Sequence, residues 1–152
     1  MDKKTIKIAK KTTEQLLNLL GVEAGVSVEQ TEDDIMEITL DTEDSGIVIG
    51  HHGDTLDSLQ LILSLCIAKN LGKFVRVSVE VGDYKKNRSD WLKGLAVQTK
   101  NSVLEEKREI YLSTLKPWER RIIHLILKDD SEVVSQSEGV GKNRVLVVRP
   151  KI

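Results

Sequence analysis

Apolar and polar positions alternate along this chain in two distinct rhythms. Over residues 4–20 the apolar positions Ile6, Ile8, Ala9, Leu16, Leu17, Leu19 and Leu20 are interleaved with Lys4, Lys7, Lys10 and Lys11. That spacing predicts an amphipathic helix stopped by Gly21. Val26–Gln30 and Ile35–Leu40 then alternate with period two and read as strands, with Glu32-Asp33-Asp34 as the turn between them. A short helix around 44–49 leads into a glycine-flanked loop. A long helix over 54–71 follows through Leu56, Leu59, Leu63 and Ile67, and Val75–Val81 alternates as a third strand. The first half is therefore predicted as α-β-β-α-α-β.

Gly82-Asp83 interrupts the pattern and marks the expected boundary between two domains, 1–82 and 83–152. Beyond it, Trp91, Leu92, Leu95, Ala96 and Val103 place a helix over roughly 84–109. Pro117 suits the first turn of a second helix, running from Trp118 to Leu127. Val133–Ser137 and Arg144–Val148 read as strands joined by the turn Glu138–Asn143. The fold class expected for the whole chain is α+β.

Composition changes this picture in three ways. Hydrophobic residues at 39% and charged residues at 31% describe a globular chain able to build a core. Cys66 is the single cysteine, so no internal disulfide framework exists, and a reducing cytoplasm is the expected location. It sits in an apolar run and reads as a buried packing residue. No signal peptide is seen, and no stretch approaches a membrane span, so direct membrane insertion is not expected. The net charge of −1 averages two unlike halves: residues 1–84 carry 8 Lys+Arg against 15 Asp+Glu, and residues 85–152 carry 15 against 9. The second half has the charge to attract phosphate.

The candidate chemistry begins at Gly50-His51-His52-Gly53, preceded by Ile47-Val48-Ile49 and followed by Asp54-Thr55-Leu56. Two glycines let the backbone turn sharply and approach a ligand, and the helix that follows directs its N-terminus into the turn. The competing reading is a plain helix–helix turn. Histidines at 51 and 52 are mostly neutral at pH 7, so phosphate contact there rests on backbone N–H groups and imidazole donors. A metal site is not expected, because adjacent histidines should diverge from a turn and the third histidine, His124, lies in the other half. In that half, Arg120 and His124 are four residues apart on one helical face. Taken alone, such a pair is commonplace. No paired carboxylates in an apolar setting, no P-loop and no nucleophile–base pair is present, so catalysis is not expected and no cofactor is implied.

Val48-Ile49-Gly50-His51-His52-Gly53-Asp54-Thr55-Leu56, with its element order, resembles the core motif of a KH domain of the bacterial, type II topology. The resemblance implies that the loop grips the backbone of about four nucleotides while an apolar groove beside it holds bases. Ile47, Ile49, Gly50, His51, His52, Gly53 and Thr55 are the implied binding residues, with one or both of Ile47 and Ile49 also readable as core. The Arg120/His124 helix, followed by Ser137-Glu138-Gly139 and Arg144–Pro150, resembles the small α/β RxxxH (R-three-H) domain, whose family ligands are single-stranded nucleic acids. Arg121, Lys142, Arg144 and Arg149 would widen its basic surface. Together the halves resemble the Jag family (SpoIIIJ-associated, KhpB/EloR) of bacterial RNA-binding proteins. Family members commonly begin with an additional Jag domain and charged linker, so this is either a short member or one lacking that piece. Gly141-Lys142-Asn143 also departs from the acidic-Pro pair expected there.

The resemblance implies a cytoplasmic, non-catalytic binder of single-stranded RNA, or of single-stranded DNA, in post-transcriptional control. It links such a protein to cell elongation and division and to envelope or sporulation control. A small KH-only protein or a second copy is the implied protein partner. The alternative is an interaction scaffold whose KH fold dimerises and binds nucleic acid weakly, which the acidic first half and the absence of loop lysines favour.

Overall fold

A computed structural model describes residues 2–152 and divides them into two compact units, one ending at Tyr84 and one running from Lys85 to Ile152. The first unit contains α1 (Lys3–Leu19), β1 (Gly25–Gln30), β2 (Met36–Asp41), α2 (Ser45–Ile49), α3 (Asp54–Leu71) and β3 (Val77–Val81). Its sheet has the order β1-β2-β3, with β1 and β2 antiparallel and β2 and β3 parallel. The period-two alternation buries Met36, Ile38 and Leu40 of β2 and Val77, Val79 and Val81 of β3 under the helices. The opposite sheet face pairs Glu29 with Glu37 and Thr39 with Glu80. Like charges set across two strands make that face repel an anion.

Helix α1 departs from the expected pattern. Its N-cap is Asp2, whose carboxylate accepts from the Thr5 amide at 2.7 Å. Its buried positions are Thr5, Ala9, Thr12, Thr13 and Leu17, whereas Ile6 and Ile8 are half-exposed. Threonine is tolerable there because Thr12 and Thr13 donate their hydroxyls to the Ile8 and Ala9 carbonyls at 2.8 Å. Asn70 on α3 also donates to Thr12 Oγ1 at 2.9 Å. Cys66 is half-buried, not enclosed as expected.

The second unit contains most of α4 (Tyr84–Glu106), then β4 (Ile110–Leu112), α5 (Pro117–Leu127), β5 (Val133–Glu138) and β6 (Val145–Pro150). Its antiparallel sheet has the order β4-β6-β5. Leu92, Ala96 and Val103 of α4 pack with Ile123 and Leu127 of α5 and with Val133, Leu146 and Val148 of the sheet. Strand β4 corrects the expected helix end at 109. The helix stops at Glu106, Lys107 takes a left-handed φ of 55°, and Ile110–Leu112 pairs with Leu146–Val148. Among the described residues, no helix is long and apolar enough to cross a membrane.

Candidate nucleic-acid interface

In the first unit the site is a backbone device. Helix α2 ends at Gly50, whose φ is 70°, and α3 begins after Gly53, whose φ is 80°. Both values lie where a side chain is strained. Space is short for one as well. A Cβ at Gly50 would lie 2.7 Å from Thr55 Cβ, and one at Gly53 would lie 2.9 Å from Tyr84 Oη. Thr55, expected as a nucleic-acid contact, thus also packs against the loop backbone. The positive end of α3 is already partly offset by Asp54 and Asp57 in its first turn.

His51 and His52 are both exposed at the tip. His52 itself adopts φ 51°, which turns its ring back so that the two ring centroids lie 4.0 Å apart. This corrects the expectation that the side chains diverge. No group of three or more potential metal ligands gathers here or elsewhere among the described residues.

Beside the loop lies a groove of about 270 Å³ lined by Leu20, Val22, Ile47, Val48, Thr55 and Ile62, among others. Ile47 is 70% exposed and forms its wall. Ile49 is not a lining residue; it packs against the core. The two isoleucines offered together by the sequence therefore separate, because the single turn of α2 directs them to different sides.

The second unit builds its candidate surface from side chains. Arg120 is buried, and its guanidinium donates to the Leu115 carbonyl at 2.7 Å. A largely desolvated guanidinium regains more from an anion than a fully hydrated one. His124, one turn on, is exposed and lies 2.8 Å through Nδ1 from Ser135 Oγ on β5. Arg121, Lys142 and Arg144 are exposed, and none forms an ion pair among the described residues.

Arg149 is placed differently from the expectation. Its Nε donates to Glu109 at 2.6 Å and its Nη2 to Glu138 at 2.5 Å. Those two carboxylates raise its already high pKa, and Tyr111 with Arg149 holds the Glu109 carboxyl below its usual range. Arg149 thus carries two ion pairs on the sheet surface. Two further groups went unread in the sequence. Glu119 is fully buried, accepting from Arg88 Nε at 2.9 Å and from the Lys116 amide at 3.0 Å, and so fixes the start of α5. Ser135 is the other; only a Ser at alternate register to buried Val133 signalled it.

Comparison with known proteins agrees with both halves. Residues 10–81 match the family described as KhpA/KhpB, KH domain, and residues 90–150 match the R-three-H domain. The chain is 35% identical over 139 residues to the RNA-binding protein KhpB of Clostridium symbiosum, covering 91% of this chain and 63% of that protein. It is 32% identical to the KhpB proteins of Streptococcus pneumoniae (serotype 2, strain D39) and Bacillus subtilis (strain 168). Those matches cover 88% and 72% of this chain and 40% and 53% of the relatives. The chain thus spans about a third to just over three fifths of the curated relatives it matches. With its KhpA/KhpB-type KH domain followed by an R-three-H domain, the chain belongs to the KhpB (Jag) family.

Proposed function

We propose that this protein binds single-stranded RNA in the cytoplasm, by contact alone and without catalysis, in post-transcriptional control. The observation that carries the reading is that the Gly50–Gly53 loop is flanked by Ile47, Val48 and Thr55, which line the apolar groove. A backbone free of Cβ atoms next to an apolar slot suits a strand whose phosphates run along the loop and whose bases enter the slot. Double-stranded nucleic acid has no splayed bases to offer such a slot. Arg120, Arg121 and His124, with Lys142 and Arg144, would extend the contact over the second unit. A role in cell elongation and division rests on the family resemblance alone.

The test is titration of labelled single-stranded RNA against a His51→Asp, His52→Asp variant. Both positions are exposed, and aspartate tolerates the left-handed backbone at 52, so the fold should be kept. Affinity should drop at least about tenfold, roughly 1.4 kcal/mol. Unchanged binding would reject the clamp. Replacing the glycines would be a poorer probe, since it disturbs packing first.

One observation favours protein pairing as a second role. Helix α3 is apolar on its outward side too, leaving Leu61 62% and Leu65 64% exposed. Exposed leucines gathered on one helix face are ordinarily covered, and a second KH domain presenting the same face would cover them. Sedimentation of wild type against Leu61→Lys, Leu65→Lys would show a dimer lost in the variant; a monomeric wild type at high concentration rejects this role.

A further inference from the structure

We propose that Ser135 is a positioning residue that fixes His124 with its Nε2–H directed outward as a hydrogen-bond donor to an RNA phosphate oxygen. This rests on the reading that the second unit contacts RNA. Ser135 is 6% exposed and held in the strand ladder opposite Val148, while His124 on α5 is exposed. The Ser135 Oγ to His124 Nδ1 distance of 2.8 Å is a full hydrogen bond. Among the described residues Ser135 Oγ has no other partner.

The direction of that bond follows from what a buried hydroxyl requires. If neutral His124 carried its proton on Nδ1, Ser135 would accept it, and its own O–H would be left buried without an acceptor. Ser135 therefore donates to Nδ1, and the ring proton sits on Nε2. When the ring is charged, both nitrogens carry protons, and the hydroxyl rotates to accept from Nδ1–H. Nε2–H faces outward in either state. Arg120 and Arg121, at i−4 and i−3 on the same helix, and Lys128 at its C-cap make an anion the fitting acceptor. His51 and His52 have only each other's rings and no such hydroxyl, so the same residue type is oriented in one half and not in the other.

The experiment uses the full chain, ¹⁵N-labelled, in two readouts. Side-chain NMR of neutral His124 should show protonation at Nε2 in wild type and a mixture of tautomers in Ser135→Ala, with Ser135→Thr restoring the single form. RNA titration should show Ser135→Ala weakening binding about three- to tenfold, towards the level of His124→Ala, again rescued by Ser135→Thr. An unmixed Nε2–H tautomer in Ser135→Ala overturns the proposal without involving RNA. So does wild-type affinity in Ser135→Ala when His124→Ala is weakened. Wild-type affinity in His124→Ala overturns instead the reading that this residue meets RNA, and the positioning role falls with it.

Discussion

The two units offer the proposed ligand opposite kinds of surface. The first carries net negative charge, with an acidic sheet face and aspartates at the mouth of α3, yet it presents a loop of bare backbone and an apolar slot. The second carries net positive charge, but several of its cations are spent on carboxylates: Arg88 on Glu119, Lys100 on Asp130, and Arg149 on Glu109 and Glu138. What remains for phosphate is a small set with particular surroundings. Net charge therefore describes neither site. Shape makes the first, and the state of desolvation and orientation of a few side chains makes the second.

The strongest way to break this contrast is at Glu119. If the second surface depends on side chains held by buried partners, Glu119→Ala should be costly. It leaves Arg88, whose side chain is only 10% exposed, with the Trp91 ring but no carboxylate, and removes the acceptor of the Lys116 amide. The expected loss is about 3–5 kcal/mol from the second unit, read by urea unfolding monitored at Trp91 and Trp118. A loss under about 1 kcal/mol would show that α5 is fixed otherwise. The counterpart in the first unit is Gly50→Ala. With φ at 70° and Thr55 Cβ 2.7 Å from the new methyl, about 1–3 kcal/mol should be lost, seen as faster amide exchange in α3. Protection unchanged there would mean that the loop tolerates a side chain and that its bare backbone is not required.

The same contrast explains what the sequence disclosed. The first site was legible because it is local: Gly50 to Gly53 and the neighbouring apolar residues are contiguous, and the alternation of Met36, Ile38 and Leu40 matches their burial. The second was legible only as the Arg120/His124 spacing. The fate of Arg149 depended on Glu109, forty residues away in sequence, and the orientation of His124 on Ser135 in another element. Partners separated in this way leave no periodic mark. Helix α1 buries other residues than its pattern predicts for a related reason. Hydrophobicity favoured Ile6 and Ile8 for the core, but threonines whose hydroxyls are satisfied by their own helix took those places. Strand β4, three residues long, is too short for alternation to show against the end of a helix.

The smallest effect expected, and the one that sharpens the comparison most finely, is the response to acid. In the first unit the N-cap carboxyl of Asp2 is held below its ordinary 3.8, chiefly by the Thr5 amide. In the second, Asp130 is held below 3.8, first by Lys100, and Glu109 below 4.5, first by the Tyr111 hydroxyl. A carboxyl with a lowered folded pKa contributes stability that is fully present above its unfolded value and disappears as pH falls through the folded one. Lys100 is raised above 10.5, so its own contribution is intact through neutrality and is lost only on the alkaline side. Asp2 and Glu109 are exposed and the Lys100–Asp130 pair is partly so, and solvent screening keeps each contribution small. Urea midpoints measured from pH 7 down to pH 2 should therefore place Asp130→Asn slightly below wild type at neutrality. The two curves should merge once Asp130 is protonated in both states. Because the second unit has two such carboxyls and the first has one at its terminus, α4 should lose amide protection before α1 as the pH falls; the reverse order would show that the acid-sensitive pairing belongs to the first unit instead.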